Sequence, residues 1–397
     1  MNLSEKKHSI GIDLGSSSVK MTLFNLLNGE NIDAVTYPQK EMKIESPKKD
    51  WAEQDPQLWW NCVKECFYFL KKRNNLQSVI SIGISYQMHG LVAIDDNGDI
   101  LFPSIIWCDS RAIKIGEDAD KKLSKSLISD HLLNSPGNFT ASKLRWVKEN
   151  NLNEYSSIYK FMLPGDYLLF KLTGKLSTTK GGLSEGILWD FENEKISEEL
   201  INFYGIEKNK FPDVVDSFGD QGTLLKENCH EFGLNDNVVI SYRCGDQPNN
   251  AFSLNVLEPG EIAATAGTSA VIYCVSDKKI YDQNNTGTFF KHTEVGNETN
   301  LYKQHDQLKK DGAFKMYQRS GEGFTEANVA MADKSDGKDD LGRKLMADKR
   351  QIVDYYMNRE GASMINAYIN EDNLEGQLEG LLGGDADMYY DNNMVGD

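Results

Sequence analysis

The chain has 397 residues, of which 60 are acidic and 43 are basic, so its formal net charge is -17. That length predicts two or three domains, each large enough to bury a hydrophobic core. An acidic surface repels phosphate backbones, which argues against nucleic acid as the principal partner. The polar start from Met1 to His8 and the lack of any run of about 18 apolar residues predict neither a secretory leader nor a membrane span. We therefore expect a cytoplasmic protein.

The six cysteines are sparse, and most of them lie inside apolar stretches, which is typical of reduced thiols in a protein core. Cys62 and Cys66 lie four residues apart on a predicted helix. No second pair at zinc spacing accompanies them, so we do not expect a metal site there.

Composition changes near residue 280. Leu, Ile, Val and Phe make up 78 of the first 280 residues but only 19 of the last 117. The last segment also carries 22 acids and 13 bases, and its apolar content is below about one fifth, the level at which a packed core becomes doubtful. We expect a globular first segment and fast amide exchange beyond about residue 300. A solvated helix or a disordered stretch is expected over 309–350, and a short amphipathic helix within 361–382.

The first segment alternates β and α patterns. The predicted strands cover residues 9–13, 19–25, 32–37, 79–85, 238–242, 261–266 and 270–275. Tight turns join the first three strands and predict an antiparallel meander. Asp55-Pro56 predicts the start of a helix whose apolar face continues to Leu70. Asn97-Gly98 predicts a hairpin turn, a second helix is expected from Gln247, and the whole pattern predicts a mixed α/β fold.

One hairpin occurs twice. Gly15-Ser16-Ser17-Ser18-Val19 and Gly267-Thr268-Ser269-Ala270-Val271 are offset by 252 residues, and each lies between two predicted strands. Such turns aim backbone N–H groups and hydroxyls at an anion, so a duplicated pair could hold a polyphosphate from two sides. Because turn composition is restricted, two ordinary hairpins account for the repeat equally well.

Two aspartates end predicted strands beside turns. Asp13 lies two residues before Gly15, where its carboxylate could hold Mg²⁺ beside bound phosphates, directly or through water. Asp246 follows a glycine and opens a helix, so it is either a catalytic base or an ordinary N-cap. Neither G-x-x-x-x-G-K-[ST] nor a strand-linked G-x-G-x-x-G occurs, which argues against a P-loop ATPase and a dinucleotide dehydrogenase.

Eight motifs in order resemble those of the FGGY carbohydrate kinases, and within that family the xylulokinases, over about residues 8–285. They are Ile12-Asp13-Leu14-Gly15-Ser16-Ser17, Trp51-Ala52-Glu53-Gln54-Asp55-Pro56, Gln87-Met88-His89-Gly90, Ile106-Trp107-Cys108-Asp109-Ser110-Arg111, Leu163-Pro164-Gly165-Asp166-Tyr167-Leu168, Leu188-Trp189-Asp190, Gly245-Asp246 and Ala266-Gly267-Thr268-Ser269. No single motif is decisive, but eight in family order are strongly specific.

The resemblance implies an actin-like α/β architecture, with duplicated RNase H-type domains around a cleft. Residues 1–243 would form the domain that holds most of the sugar and the first phosphate turn. Residues 244–397 would form the domain with the catalytic aspartate and the second turn. The resemblance also implies ATP and Mg²⁺ as cofactors and a small sugar as partner, and it allows a homodimer.

Residue roles follow from the same resemblance. Asp246 would take the proton from the sugar hydroxyl, and Asp13 and Asp246 would hold the metal of Mg-ATP. The sugar-binding positions are Gln87, Met88, His89, Asp246 and Gln247. The phosphate-binding positions are Asp13, Gly15, Ser16, Ser17, Gly267, Thr268 and Ser269. The Gln-Met-His-Gly form favours D-xylulose over glycerol or gluconate, although His89 or Trp107 taken alone would more often be structural.

The sequence departs from the family pattern after Tyr281. Gly383-Gly384-Asp385-Ala386 lies in an acidic terminus without the apolar strand that precedes the adenosine motif of relatives. Ala270 stands where the family usually has glycine, and Cys244 replaces a small residue beside Asp246. We therefore expect an incomplete or divergent second domain.

The leading hypothesis is an ATP-dependent phosphotransferase of xylose metabolism that converts D-xylulose to D-xylulose 5-phosphate. One alternative is a catalytically impaired remnant that binds sugar, and another is an FGGY kinase for a different sugar. An actin-like ATPase of the chaperone type is supported by the first hairpin alone, and the sugar-binding motif argues against it.

Overall fold

A computed structural model describes residues 7–254, 256–257, 261–266, 270–276, 281, 288–291 and 313–318. They fall into two compact units, the first ending at Asn249 and the second beginning at Asn250. Helices and strands alternate in the first unit, so the predicted mixed α/β class is confirmed.

The strands of the first unit are β1 His8–Leu14, β2 Val19–Asn25, β3 Asn31–Tyr37, β4 Glu53–Gln54, β5 Val79–Tyr86, β6 Val92–Ile94, β7 Ser104–Ile105, β8 Lys160–Met162, β9 Ser177–Thr179, β10 Trp189–Asp190, β11 Lys195–Ile196, β12 Asp213–Val215 and β13 Val239–Gly245. The α-helices are α1 Pro56–Arg73, α2 Ile113–Lys122, α3 Thr140–Asn150, α4 Leu152–Ser157, α5 Pro164–Thr173, α6 Lys180–Glu185, α7 Glu198–Tyr204, α8 Lys226–Phe232 and α9 Asp246–Ser253. Short 3₁₀ turns cover Leu76–Ser78 and Lys208–Lys210, and a π-helical turn covers Leu127–Leu132.

The second unit contains one antiparallel sheet. Its strands are β14 Ile262–Ala266, β15 Ala270–Ser276, β16 Thr288–Lys291 and β17 Ala313–Gln318, in the order β14-β15-β17-β16.

A five-stranded sheet in the order β13-β5-β1-β2-β3 organises the first unit. Strands β1, β5 and β13 run parallel, while β2 and β3 complete an antiparallel meander with β1. Apolar residues alternate with polar ones along β2, where Val19, Met21 and Leu23 are buried and Lys20 is exposed. This period of two places one face of the strand in the core.

Helix α1 covers the meander. The Asp55 carboxylate accepts a hydrogen bond from Gln57 N at 2.9 Å, and Pro56 occupies the first turn, so the predicted N-cap is confirmed. The buried face of the helix runs from Trp59 to Leu70 and packs against β2 and β3. Its last turn carries basic residues, whose positive charges interact favourably with the negative end of the helix dipole.

Helix α5 joins the sheet through a buried ion pair and a close backbone approach. Arg243 Nε on β13 lies 3.0 Å from Asp166 Oδ1 on α5, and both side chains are buried. Asp166 also accepts a hydrogen bond from Leu163 N at the start of α5. One residue earlier, a Cβ on Gly165 would lie 2.1 Å from the Tyr86 ring, so only glycine fits.

The predicted strands of the first 276 residues all occur, with ends that differ by up to three residues. The turn at Asn97-Gly98 also occurs, where Gly98 N donates to Asp95 O and Ile94 pairs with Ile100.

The expectation of a helix or disorder over 309–350 is wrong at Ala313–Gln318. Those residues form β17 between β15 and β16. Pairing with two neighbouring strands supplies hydrogen bonds that composition alone does not reveal. The helix expected within 361–382 lies outside the described residues.

No helix in the described part of the chain has both the length and the apolar content that crossing a membrane requires.

Gly165→Ala is expected to lower the free energy of unfolding by about 1–3 kcal/mol, because the added methyl overpacks the Tyr86 ring. Gly11→Ala is the matched control, since a Cβ at position 11 meets only Phe24 at 3.7 Å, an ordinary contact. Urea unfolding of both variants measures the difference. Equal stability of the two variants would contradict the close packing of α5 on β5.

Candidate active site

Three parallel strands end in register at one edge of the sheet. Leu14 at the end of β1 pairs with Tyr86 at the end of β5, and Tyr86 pairs with Gly245 at the end of β13. Because ligands of open α/β sheets bind outside the carboxyl ends of the strands, this edge is the expected position of a site. The strands continue into the turn 15–18, the loop 87–90 and helix α9.

The turn after β1 is tight and supported from behind. Gly15 N donates to Ser18 O at 3.0 Å, and a Cβ on Gly15 would lie 3.2 Å from that oxygen. The buried Gln54 donates from Nε2 to Ser16 O at 2.7 Å. Ser17 is exposed at the tip of the turn. The backbone of the turn is therefore fixed while its tip faces solvent.

Two aspartates and a lysine surround this turn. The Asp13 carboxylate lies 3.6 Å from Lys20 Nζ, and both side chains are exposed. Burial, and next the negative charge of Asp13, raise the pKa of Asp246 to about 7. Hydrogen bonding from the Gln247 backbone N–H partly opposes this rise. Asp246 therefore exchanges a proton near neutral pH, as a general base does.

The loop after β5 is anchored to the end of β1 and to Gln54, which supports the turn 15–18. Gln87 N donates to Leu14 O at 2.7 Å, and Gln87 Nε2 donates to Gln54 Oε1 at 3.2 Å. Gln54 thus contacts both Gln87 and Ser16. Gln87 Oε1 is buried and has no hydrogen-bond partner among the described residues. Such an acceptor costs about 1–3 kcal/mol unless water or a ligand supplies a donor.

His89 is held in an unusual backbone conformation and in one tautomer. Its φ of 61° lies in the left-handed region, which non-glycine residues rarely adopt. His89 Nδ1 lies 3.0 Å from Glu185 O, and because a carbonyl only accepts, Nδ1 carries the proton. Burial, and next the Lys143 cation, lower the pKa of His89 to about 3, so the imidazole is neutral. Nε2 is then the acceptor nitrogen of the ring.

Glu185, at the end of α6, joins the site and was not predicted. Its side chain is buried, and Oε1 accepts a weak hydrogen bond from His89 N at 3.4 Å. Burial, and then the negative charges of Asp246 and Asp166, raise the pKa of Glu185 well above its usual value. A Cβ on Gly245 would lie 2.6 Å from both Glu185 Oε2 and Met88 Cγ, so glycine is required beside Asp246.

The structure brings most of the predicted site residues to this edge. They are Asp13, Gly15, Ser16, Ser17, Gln87, Met88, His89, Asp246 and Gln247. The second predicted turn, Gly267 to Ser269, lies outside the described residues. Trp107, whose role the sequence left open, donates from Nε1 to Ser16 Oγ at 3.4 Å.

Asp13 and Asp246 are the two carboxylates that the sequence analysis assigns to a divalent cation. Within the described residues there is no group of three or more His, Cys, Asp or Glu side chains arranged to hold a metal. Asp13 raises the pKa of Asp246 through charge repulsion. A cation bound by both carboxylates, with water and phosphate oxygens as further ligands, would relieve that repulsion.

Comparison with known proteins agrees with this geometry. Residues 8–253 match the N-terminal domain of the FGGY family of carbohydrate kinases. The chain belongs to the FGGY family. As an FGGY protein it has the actin-like fold of that family, and this confirms the resemblance that its motifs indicated.

Several curated xylulose kinases are similar to this chain. The chain is 28% identical to the xylulose kinase of Staphylococcus xylosus over 284 residues, which cover 71% of this chain and 58% of the relative. It is 30% identical to that of Klebsiella pneumoniae over 269 residues, 68% of this chain and 54% of the relative. The chain therefore spans little more than half the length of these relatives.

Solved structures resemble it in fold. A ligand-bound xylulose kinase from Lactobacillus acidophilus aligns with a TM-score of 0.71 at 20% identity, over 87% of this chain and 66% of that one. A gluconate kinase from the same organism aligns with a TM-score of 0.70 at 21% identity, over 87% of this chain and 66% of that one. The fold is thus shared by kinases of different sugars.

Asp246→Asn is expected to stabilise the folded chain at alkaline pH. In the wild type the folded state keeps a proton on Asp246 between about pH 4 and pH 7 that the unfolded state releases, so the free energy of unfolding falls across this window. The variant has no ionisable group at this position, so its free energy of unfolding does not fall in this way. At pH 8 its free energy of unfolding should exceed that of the wild type by about 1–4 kcal/mol, and the difference should nearly vanish near pH 4.

Urea unfolding at about pH 4.5 and about pH 8 tests this sign. Asp213→Asn, which changes an exposed residue on β12, is the control for removing one negative charge. An Asp246→Asn effect that is the same at both pH values would show that Asp246 has no raised pKa.

Proposed function

We propose that this FGGY protein phosphorylates a ketopentose with ATP, converting D-xylulose to D-xylulose 5-phosphate. The observation that carries the proposal is the convergence of three strand ends, by which the turn 15–18, a His-containing loop and a carboxylate with a pKa of about 7 lie at one edge of the sheet. The names of the curated relatives support xylulose as the sugar.

In this proposal Asp246 is the general base. Its carboxylate takes the proton from the sugar 5-hydroxyl as that oxygen forms a bond to the γ-phosphorus of ATP. The bond from that phosphorus to the β,γ-bridging oxygen breaks, and ADP leaves with the bonding electrons. A pKa near 7 suits this role, because the base is ionised in a large fraction of molecules yet still binds a proton well.

Charge on the transferred phosphoryl group needs stabilisation. The turn from Gly15 to Ser17 offers backbone N–H groups and hydroxyls, held in place by Gln54. Asp13 and Asp246 would hold Mg²⁺, which supplies positive charge beside the phosphate oxygens when bound.

The sugar would be recognised by the loop 87–90 and the start of α9. Neutral His89 offers Nε2 as an acceptor for a sugar hydroxyl, and the buried Gln87 Oε1 is an acceptor that a hydroxyl or a water would satisfy. Met88 is buried against Gly245 and supplies an apolar contact, and Gln247 supplies an amide at the helix start. All four residues lie in the first unit.

A sugar-binding protein without kinase activity is the second candidate. The observation that favours it is that the proposed sugar-binding residues and Asp246 all belong to the first unit. Sugar binding requires only the first unit, whereas phosphoryl transfer also requires a nucleotide site.

Asp246→Ala is expected to lower turnover at least about 10²-fold, since a positioned base contributes about 10²–10⁴-fold to such reactions. An ADP-release assay with Mg-ATP and D-xylulose measures turnover, and calorimetry measures sugar binding. Asp213→Ala, with its exposed site on β12, is the matched control and should retain wild-type turnover.

Three results are decisive. Loss of turnover in Asp246→Ala with sugar binding retained within about tenfold supports the kinase mechanism. A variant that keeps most of its turnover would rule out Asp246 as the base. A wild-type chain that binds D-xylulose but releases no ADP would favour the sugar-binding protein.

A further inference from the structure

Lys143, on α3, is a buried lysine directly behind the sugar loop. Its side chain is 0% exposed, and Nζ donates to His89 O at 2.8 Å and to Ile106 O at 2.9 Å. A lysine is almost never fully buried unless its ammonium is paired, because removing the charge from water is costly. Two carbonyls from separate segments therefore share one charged donor.

The carboxylate that acts most strongly on Lys143 is that of Asp109, which is itself paired with Arg111, whose Nη2 lies 2.7 Å away. Burial lowers the pKa of Lys143 to about 8, and the Asp109 carboxylate partly restores it. Asp109 is itself fixed, accepting hydrogen bonds from Ala52 N at 2.7 Å and Arg111 N at 2.9 Å. The other charged or titratable groups that act on Lys143 are Cys108, Arg111 and Glu185. Lys143 therefore carries its proton at neutral pH.

Lys143 affects His89 in two ways. The left-handed φ of 61° at His89 costs free energy in a non-glycine residue and persists only where the surroundings enforce it. The hydrogen bond to His89 O holds the peptide after this residue. Burial lowers the pKa of the His89 imidazole most, and the Lys143 cation lowers it further. The same ammonium group thus contributes to the backbone geometry and to the charge of the ring.

We propose that Lys143 is a positioning residue of the sugar site, which holds the His89 backbone in place and, together with burial, keeps its imidazole neutral so that Nε2 accepts a sugar hydroxyl. This inference rests on the proposed sugar kinase function, since it assigns a role in binding the same ketopentose. Lys143 does not itself touch the sugar in this account.

Lys210 offers a matched comparison. It is also buried, donates from Nζ to Ile158 O at 2.9 Å and pairs with Glu207 at 3.2 Å. Its two polar contacts equal those of Lys143 in number, but one of them is an ion pair and both involve other segments. If Lys143 only stabilised the core, replacing either lysine by methionine would have the same kind of effect.

The test compares Lys143→Met with Lys210→Met by thermal unfolding and by calorimetric titration with D-xylulose. Both variants should unfold at lower temperature than the wild type. Only Lys143→Met should weaken sugar binding, by about tenfold or more. The reason is that losing a hydrogen bond from a charged donor changes an equilibrium constant by more than about tenfold. Unchanged sugar affinity in a folded Lys143→Met variant would overturn the proposal.

A second measurement separates this proposal from the proposed function. If the wild type binds no D-xylulose, the kinase assignment fails, and hydrogen exchange of peptide 86–90 without sugar then tests Lys143. Exchange there should be at least about tenfold faster in Lys143→Met and unchanged in Lys210→Met. Equal exchange in the two variants would overturn the positioning role.

If Lys143→Met does not fold, the wild type still provides a test. Nitrogen-15 NMR of labelled histidines, with His89 assigned by a His89→Gln variant, should show a neutral ring protonated on Nδ1 throughout about pH 5–8. A His89 that titrates within this range, or that carries its proton on Nε2, would overturn the proposal.

Discussion

The register of three parallel strands is the constraint on which the rest of the structure depends. Leu14, Tyr86 and Gly245 lie side by side, so each strand delivers its next residues to the same edge. A shift of one residue in any strand would turn its side chains to the other face. Large core residues and the close approach of Gly165 to Tyr86 fix that register.

Crowding of acidic groups at this edge determines its chemistry. The charge of Asp246 acts on Glu185, and the charge of Asp13 acts on Asp246. Burial raises the pKa of both Glu185 and Asp246, and the neighbouring carboxylates raise it further. The same folding that brings the strands together thus gives Asp246 a pKa of about 7. Lys20 and Lys143 supply the nearby positive charge.

The sequence was sufficient to predict the parts of the fold with local signals. Alternation along β2, the Asp55-Pro56 start of α1 and the turn after Asp13 depend on residues close in sequence. The aspartates and the loop 87–90 could be placed because their motifs resemble a known family. Predictions of this kind succeed where local preference and the final fold agree.

Residues that support the site from a distance could not be predicted. Glu185 contacts His89 across 96 positions, Lys143 contacts His89 across 54, and Gln54 contacts Ser16 across 38. Each stands in a segment whose composition suggests only a helix or a short strand. Strand β17 is a similar case, because its pairing with β15 and β16 is a tertiary event that overrides a polar composition.

The central claim is that the first unit contains a complete site for a ketopentose. Calorimetric titration of the wild-type chain with D-xylulose, glycerol and gluconate tests it most directly. We expect saturable binding of about one D-xylulose per chain, and binding of glycerol and gluconate that is weaker by at least about tenfold. Absence of D-xylulose binding, or equal binding of all three compounds, would contradict it.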